Sequence, residues 1–177
     1  MNLNKQAKKL ATILLDSSGA DSGDVNVSLK KIDNLIRKDT RFRSLLQSKR
    51  ISLDKKTDIL RKVLVDSCHS NAIEFLGLIT KERSVQLIRQ VIKDYDTLYK
   101  DKEGIIDVQV HVAKEMSAVE VDTLQQNLQK AMNMKTDISI EVDEKLLGGI
   151  KFRIKNTFLD ASLKSKLNRL QSTLLQS

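Results

Sequence analysis

The side chains able to do chemistry are few in this chain and stand apart. Cys68 is the only cysteine, and His69 and His111 are the only histidines, so the four thiolate or imidazole ligands of a structural zinc site cannot be assembled. A single cysteine allows no disulfide within the chain, which fits a reducing compartment; Cys68 reads as a plain thiol near a helix end. Gly148 and Gly149 come nearest to a phosphate-cradling loop. Such a loop must open a helix, so that backbone N–H groups and a lysine meet the phosphates, whereas the residues after the pair, IKFRIK, alternate like a strand. A dinucleotide fingerprint fails for the same reason. Asp107 and His111 fall on the polar side of an alternating segment, and Asp143 and Glu144 are adjacent carboxylates ahead of an apolar pair. In both places solvated side chains are the simpler reading than an acid–base pair or a metal site. No cofactor is expected, and an enzyme would need a shielded cleft where such groups converge.

Charge points to binding instead. The net charge is +8, and its excess lies entirely in residues 1–102, which hold 21 Lys and Arg against 13 Asp and Glu, while residues 103–177 hold 10 against 10. That excess suits an acidic protein partner, an anionic membrane surface or nucleic acid. A sequence-tolerant single-strand binder would add aromatic platforms for base stacking, but aromatic residues are 3% of this chain and there is no Trp. Tyr95 and Tyr99 fall on the apolar stripe of a helix, where they read as packing residues with hydroxyls reaching solvent. Nucleic acid is therefore not the expected partner, and a basic nucleic-acid-binding protein stays as the alternative reading. No apolar run approaches the roughly 20 residues that span a bilayer, and the N-terminal segment is too polar for a signal peptide. The chain is expected to stay in the compartment where it is made.

The elements that carry these residues follow from apolar spacing. Through the first hundred residues it keeps the helical period: Ala7, Leu10, Ala11 and Leu14; then Val25, Leu29, Ile32 and Ile36; then Phe42, Leu45 and Leu46; then Leu53, Leu60 and Leu64 behind Ser52 as N-cap; then Ile73, Leu76 and Ile79; and last Ile88, Val91, Ile92, Tyr95 and Tyr99. The glycine-bearing stretch from Asp16 to Asp24 reads as a loop. Six amphipathic helices cannot bury their stripes singly and are expected to pack as a bundle. At Gly104 the period changes to two, with Ile106, Val108, Val110 and Val112 on one face. Ser117 and Glu120 form a capping box, opening a helix with Val121, Leu124, Leu128 and Ala131 inward. Ile138, Ile140 and Val142, then Ile150, Phe152 and Ile154, give two more strands, and Leu163, Leu167, Leu170 and Leu174 a final helix. The expected fold is α+β: a six-helix bundle over residues 1–102, then a small α/β domain over residues 103–177 in the order strand, helix, strand, strand, helix. Gly104 is expected to act as a swivel between the two, with relative motion the default.

The stretch VDEKLLGGIKFRIKNTFLDASLKSKLNRL, from Val142 to Leu170, resembles the C-terminal signature of the delta subunit of F-type ATP synthase, the oligomycin-sensitivity-conferring protein of mitochondria. The matching residues are Val142, Asp143, Leu146, Leu147, Gly148, Gly149, Ile150, Arg153, Ile154, Asp160, Ser162, Lys164, Leu167 and Leu170. The similarity extends upstream through Asn71–Arg83, the long helix after Ser84, and the opening QAKKLATILLD. Gln6 stands where the family usually has tyrosine, Ala161 replaces a usual glycine, and the proline often found near Lys49 is absent. Residue by residue, a turn that needs positive φ or a close backbone approach would explain Gly148 and Gly149, and Asp160 or Ser162 would cap the last helix.

The resemblance implies a non-catalytic stator connector, one copy per complex, that touches the membrane only through the complex. It implies that the helical domain holds the N-terminal helix of an alpha subunit in a groove between the first and fifth helices, with Ala7, Leu10, Ala11, Leu14, Phe75, Leu78 and Ile79 as candidates, about half of them core. The C-terminal domain would grip the peripheral-stalk b subunits, with Gly148, Gly149, Ile150, Asp160, Ser162, Lys164, Leu167 and Leu170 as candidates. The implied location is the cytoplasmic face of a bacterial membrane, or the stromal face of the thylakoid for a plastid-encoded chain.

Overall fold

In the computed structural model the described residues are 3–175, with residues 170 and 173–175 described for their backbone alone. The chain divides into two compact units, Met1–Lys102 and Glu103–Ser177, and the fold is α+β, as the periodicity predicts.

Among the described residues the first unit holds six α-helices: α1 (Leu3–Ser18), α2 (Ser22–Lys38), α3 (Thr40–Gln47), α4 (Leu53–Leu64), α5 (Ser70–Ile79) and α6 (Val85–Glu103), with short 3₁₀ turns at Gly19–Asp21 and Thr80–Glu82. Their predicted stripes form one core, in which Ala7, Ala11, Val25, Ile32, Leu60, Ala72 and Val91 have no exposed surface. Asp39 caps α3, its side chain accepting from the N–H groups of Arg41 and Phe42. Ser84 caps α6 by accepting from Leu87 N–H at 3.1 Å. Ser52 occupies the N-cap of α4 in an extended conformation, but its hydroxyl makes no capping bond. Helices α4 and α5 approach closely at Gly77, where a Cβ would lie 2.8 Å from Thr57 Oγ1.

Two expectations for this unit fail. Residues 16–24 do not form a loop, because α1 continues to Ser18 and α2 begins at Ser22. The hydroxyls of Ser17 and Ser18 donate to Leu14 O, at 2.9 and 2.6 Å, so serines that suggested a loop are satisfied within a helical turn. Gly19, at φ +51°, alone takes the left-handed step. The Tyr95 hydroxyl does not reach solvent: the residue is fully buried and donates to Ser22 O at 3.1 Å, and burial raises its pKa.

The polar link between α2 and α6 is built on Asp96. It accepts from Asn26 Nδ2 at 3.0 Å, pairs with Lys30 at 3.0 Å and with Lys100 at 2.9 Å. Burial pushes its carboxyl up, but the donors Asn26, Lys100 and Lys30 together outweigh that and hold it below the usual range.

In the second unit, β1 (Ile105–Val112), α7 (Ala118–Met132), β2 (Lys135–Val142), β3 (Gly149–Ile154), β4 (Thr157–Ser162) and α8 (Leu163–Leu175) build a sheet of order β2-β1-β3-β4. β1 and β2 are parallel with α7 as their crossover, while β3 runs antiparallel to both β1 and β4. Val110 lies between Ile140 and Phe152 in the register, and Val108, Val110 and Val112 are its buried centre. The capping box forms: Ser117 N–H donates to Glu120 Oε2 at 2.8 Å, and Glu120 N–H to Ser117 Oγ at 3.4 Å.

The expected order lacked one strand, β4. Its apolar residues, Phe158 and Leu159, are adjacent rather than alternating, and both are exposed. Backbone pairing to β3 across a tight turn, with Lys155 at φ +51°, holds this edge strand in place of buried alternation. On α7, Leu124, Leu128 and Met132 pack on the sheet, whereas Ala131 is exposed and Val121 lies outside the cluster. The stripe drifts with the helical period, and the longer Met132 reaches where alanine does not. Val142, at the end of β2, is exposed, as are Leu163 and Leu167 of α8; the side chains of Leu170 and Leu174 lie outside the described residues.

Asp96→Asn removes the charge that compensates Lys100, itself buried, and is expected to lower stability by about 1–3 kcal/mol at neutral pH. A carboxyl whose folded pKa is depressed stabilises fully above its unfolded value near 4 and loses that contribution as pH falls through the folded value. Urea titrations should therefore show the gap between the wild-type chain and the variant closing in acid.

Candidate functional site

A shallow groove of about 400 Å³ lies between α1 and α5, lined by Ile13, Leu14, Ser17, Ser70, Asn71, Glu74, Phe75 and Leu78. Its walls follow from helical geometry. α1 turns Ala7, Ala11 and Leu14 to the core, and α5 turns Ala72, Ile73, Leu76 and Ile79. The residues beside those stripes cannot also go inward. Ile13 is thus 54% exposed and Leu78 77% exposed, with half-buried Phe75 packed against the core between them. A large apolar side chain left this open beside a concave apolar floor is the arrangement that seats an amphipathic helix.

The seven N-terminal candidates accordingly separate. Leu14, Phe75 and Leu78 line the groove; Ala7, Ala11 and Ile79 are core; Leu10 is half-buried and packs on the core without lining the groove. Ile13 was missed, because it lies off the stripe from which the helix is recognised; its signal was that it is a large aliphatic residue there. Glu74, on the rim, pairs with Arg61 at 2.8 Å. His69 caps α5, its Nδ1 accepting from Asn71 N–H at 3.3 Å while its backbone N–H donates to Ser28 Oγ at 2.8 Å.

The second surface lies where β4 runs into α8. A concavity of about 750 Å³ is lined by Phe152, Phe158, Leu159, Asp160, Ala161, Ser162, Lys166 and Arg169. Phe158 is 70% exposed, and the Arg153 guanidinium lies over its ring, 5.2 Å from the centroid. Leu159, in the same concavity, is 52% exposed, and Leu163 and Leu167 of α8 are exposed without lining it. Phe158 and Leu159 were missed together with their strand.

The other C-terminal candidates are mostly structural in position. Gly149 has φ +84°, and a Cβ there would lie 2.5 Å from Ala161 O and 2.8 Å from Ser162 Cα, so both reasons for a glycine apply. Gly148 O accepts from Leu163 N–H at 3.0 Å, tying the turn to the start of α8. Ile150 belongs to the sheet core. Of the two proposed caps, Ser162 caps α8, accepting from Ser165 N–H at 3.3 Å, while Asp160 accepts from Ser162 N–H at 2.9 Å. The side-chain bond to Ser162 and then this backbone bond, helped by Lys151 and Arg169, hold the Asp160 carboxyl below the usual range. Lys164 is exposed, and Leu170 falls on α8 with its side chain outside the described residues.

The polar residues singled out in the sequence do not converge. His111 pairs with Glu141 across β1 and β2 at 3.6 Å; Asp143 accepts from Lys145 N–H at 3.0 Å. Among the described residues no group of three or more His, Cys, Asp or Glu could hold a metal ion, and no helix is long and apolar enough to cross a membrane.

Residues 7–174 match the family model of the ATP synthase delta (OSCP) subunit. The chain is 29% identical over 161 residues to the ATP synthase subunit delta of Gemmatimonas aurantiaca, covering 91% of this chain and 87% of that protein. It is 33% identical over 170 residues to the corresponding subunit of Granulibacter bethesdensis, covering 93% and 76%. In fold it is similar to a chain of the Toxoplasma gondii mitochondrial ATP synthase hexamer, with a TM-score of 0.66 and 17% identity, over 96% of this chain and 97% of that one.

Gly149→Ala forces a left-handed conformation on alanine and drives its Cβ into the backbone of β4, at an expected cost of about 3 kcal/mol or more. Hydrogen exchange should show β3 and β4 amides losing protection, with the amides of α1–α5 unaffected.

Proposed function

The chain belongs to the ATP synthase delta (OSCP) subunit family, and from that membership we propose that it is the non-catalytic stator connector of the complex. In this reading the helical unit seats the N-terminal helix of an alpha subunit in the α1/α5 groove. The β4/α8 surface binds the C-terminal end of the peripheral-stalk b subunits. One copy serves each complex, supporting proton-driven ATP synthesis, and the membrane is reached only through it. The bacterial relatives favour the cytoplasmic face of a bacterial membrane.

The observation that carries the reading is Leu78, three-quarters exposed beside Ile13 and Phe75 on a groove with an apolar floor. The task is mechanical. Torque from a turning shaft acts on the head, and the connector must stop the head from rotating without a covalent bond. A helix held in a groove meets this demand, because a few desolvated apolar anchors carry the affinity while the polar rim, here Ser17, Ser70, Asn71 and Glu74, sets orientation.

Burying a leucine stabilises by about 1.5–3 kcal/mol, and each 1.4 kcal/mol is tenfold in affinity. Calorimetry of the full chain with a peptide from the alpha-subunit N-terminus is therefore expected to show binding that Leu78→Asp weakens by about tenfold or more, without loss of fold, since the side chain is outside the core. Absence of binding to the wild-type chain would sink the proposal.

A further inference from the structure

We propose that a second groove, between α2 and α6, is a docking site for an acidic peptide segment of a neighbouring subunit. The inference rests on the reading that the chain works within an assembled synthase. The groove, about 650 Å³, is built on Lys30, Asp33 and Arg37 of α2 and Val85, Arg89, Ile92, Lys93 and Asp96 of α6. It brings four cations together with two carboxylates, and it lies on the unit that carries the whole positive excess of the chain.

Both arginines are aimed by one carboxylate. Arg37 Nε is 2.6 Å from Asp33 Oδ2, and Arg89 Nε is 2.9 Å from Asp33 Oδ1. The Asp33 side chain is only 17% exposed. Because the guanidiniums are held through Nε, their terminal nitrogens keep donors for a carboxylate on an approaching chain. Further along, Lys30 and Asp96 pair at 3.0 Å, with Lys93 on the same stretch of α6. Lys30 and Arg37 are two helical turns apart, roughly 10 Å, and Arg89 and Lys93 one turn.

This spacing distinguishes the occupant. A small anion would be satisfied by the two guanidiniums alone, leaving the lysine end, where Lys93 is exposed, unengaged. A segment with carboxylates one and two turns apart engages both ends, which is charge complementarity over the length of the groove.

The test uses the chain assembled in the purified synthase, with a photoreactive amino acid placed at Gln86 in this groove and, separately, at Leu78. The Gln86 probe is expected to cross-link to a subunit segment rich in Asp and Glu. Substituting Arg37→Gln together with Arg89→Gln, which avoids crowding extra carboxylates around Asp33, is expected to cut that yield by about tenfold and leave the Leu78 adduct unchanged. No adduct at Gln86, an adduct to a segment without acidic residues, or a yield indifferent to the double substitution overturns the proposal. Amide shifts with pyrophosphate in the absence of an adduct overturn it in favour of a small anion. Loss of the Leu78 adduct alone counts against the α1/α5 reading and leaves this one standing.

Discussion

An amphipathic helix in a bundle can turn only one side inward, and α1 and α5 carry apolar residues on more than one side. Ala7, Ala11 and Leu14 take the inner side of α1, while Ala72, Ile73, Leu76 and Ile79 take that of α5. Ile13 and Leu78 are thereby committed to the outside at a cost in exposed apolar surface that the folded chain alone does not recover. That leftover surface defines the α1/α5 groove, and the same logic governs the second unit. There Phe158 and Leu159 of β4 and Leu163 and Leu167 of α8 are left exposed.

The two units solve their internal problems differently. The helical unit has a continuous apolar core and links α2 to α6 through Asp96, a part-buried carboxylate satisfied by three donors. Among the described residues the second unit is centred on three buried valines, Val108, Val110 and Val112, so more of its organisation falls to backbone geometry. Gly149 lets β3 start against the backbone of β4, and Ser162 then closes β4 into α8.

Periodicity made most of the fold legible, because buried stripes and alternating faces leave a direct mark in residue order. What it did not reveal lacked such a mark. β4 is held by pairing to β3, which no pattern within the strand records, and Ser17 and Ser18 resemble loop residues until their hydroxyls find Leu14 O. The groove was half legible for the same reason. Leu14, Phe75 and Leu78 could be proposed because a family resemblance pointed to the helices. Ile13 is visible only once its neighbours are known to be buried, and the arginine pair on Asp33 needs residues 56 apart in sequence, on two helices, to be brought together.

In the function proposed above, two separate surfaces hold two different partners. This is tested most directly by capturing the alpha/beta head and the b stalk on Leu78→Asp and Phe158→Asp chains in parallel. Leu78→Asp is expected to lose the head and retain the stalk, and Phe158→Asp to do the reverse. Loss of both partners from either folded variant, or of neither from both, would contradict it.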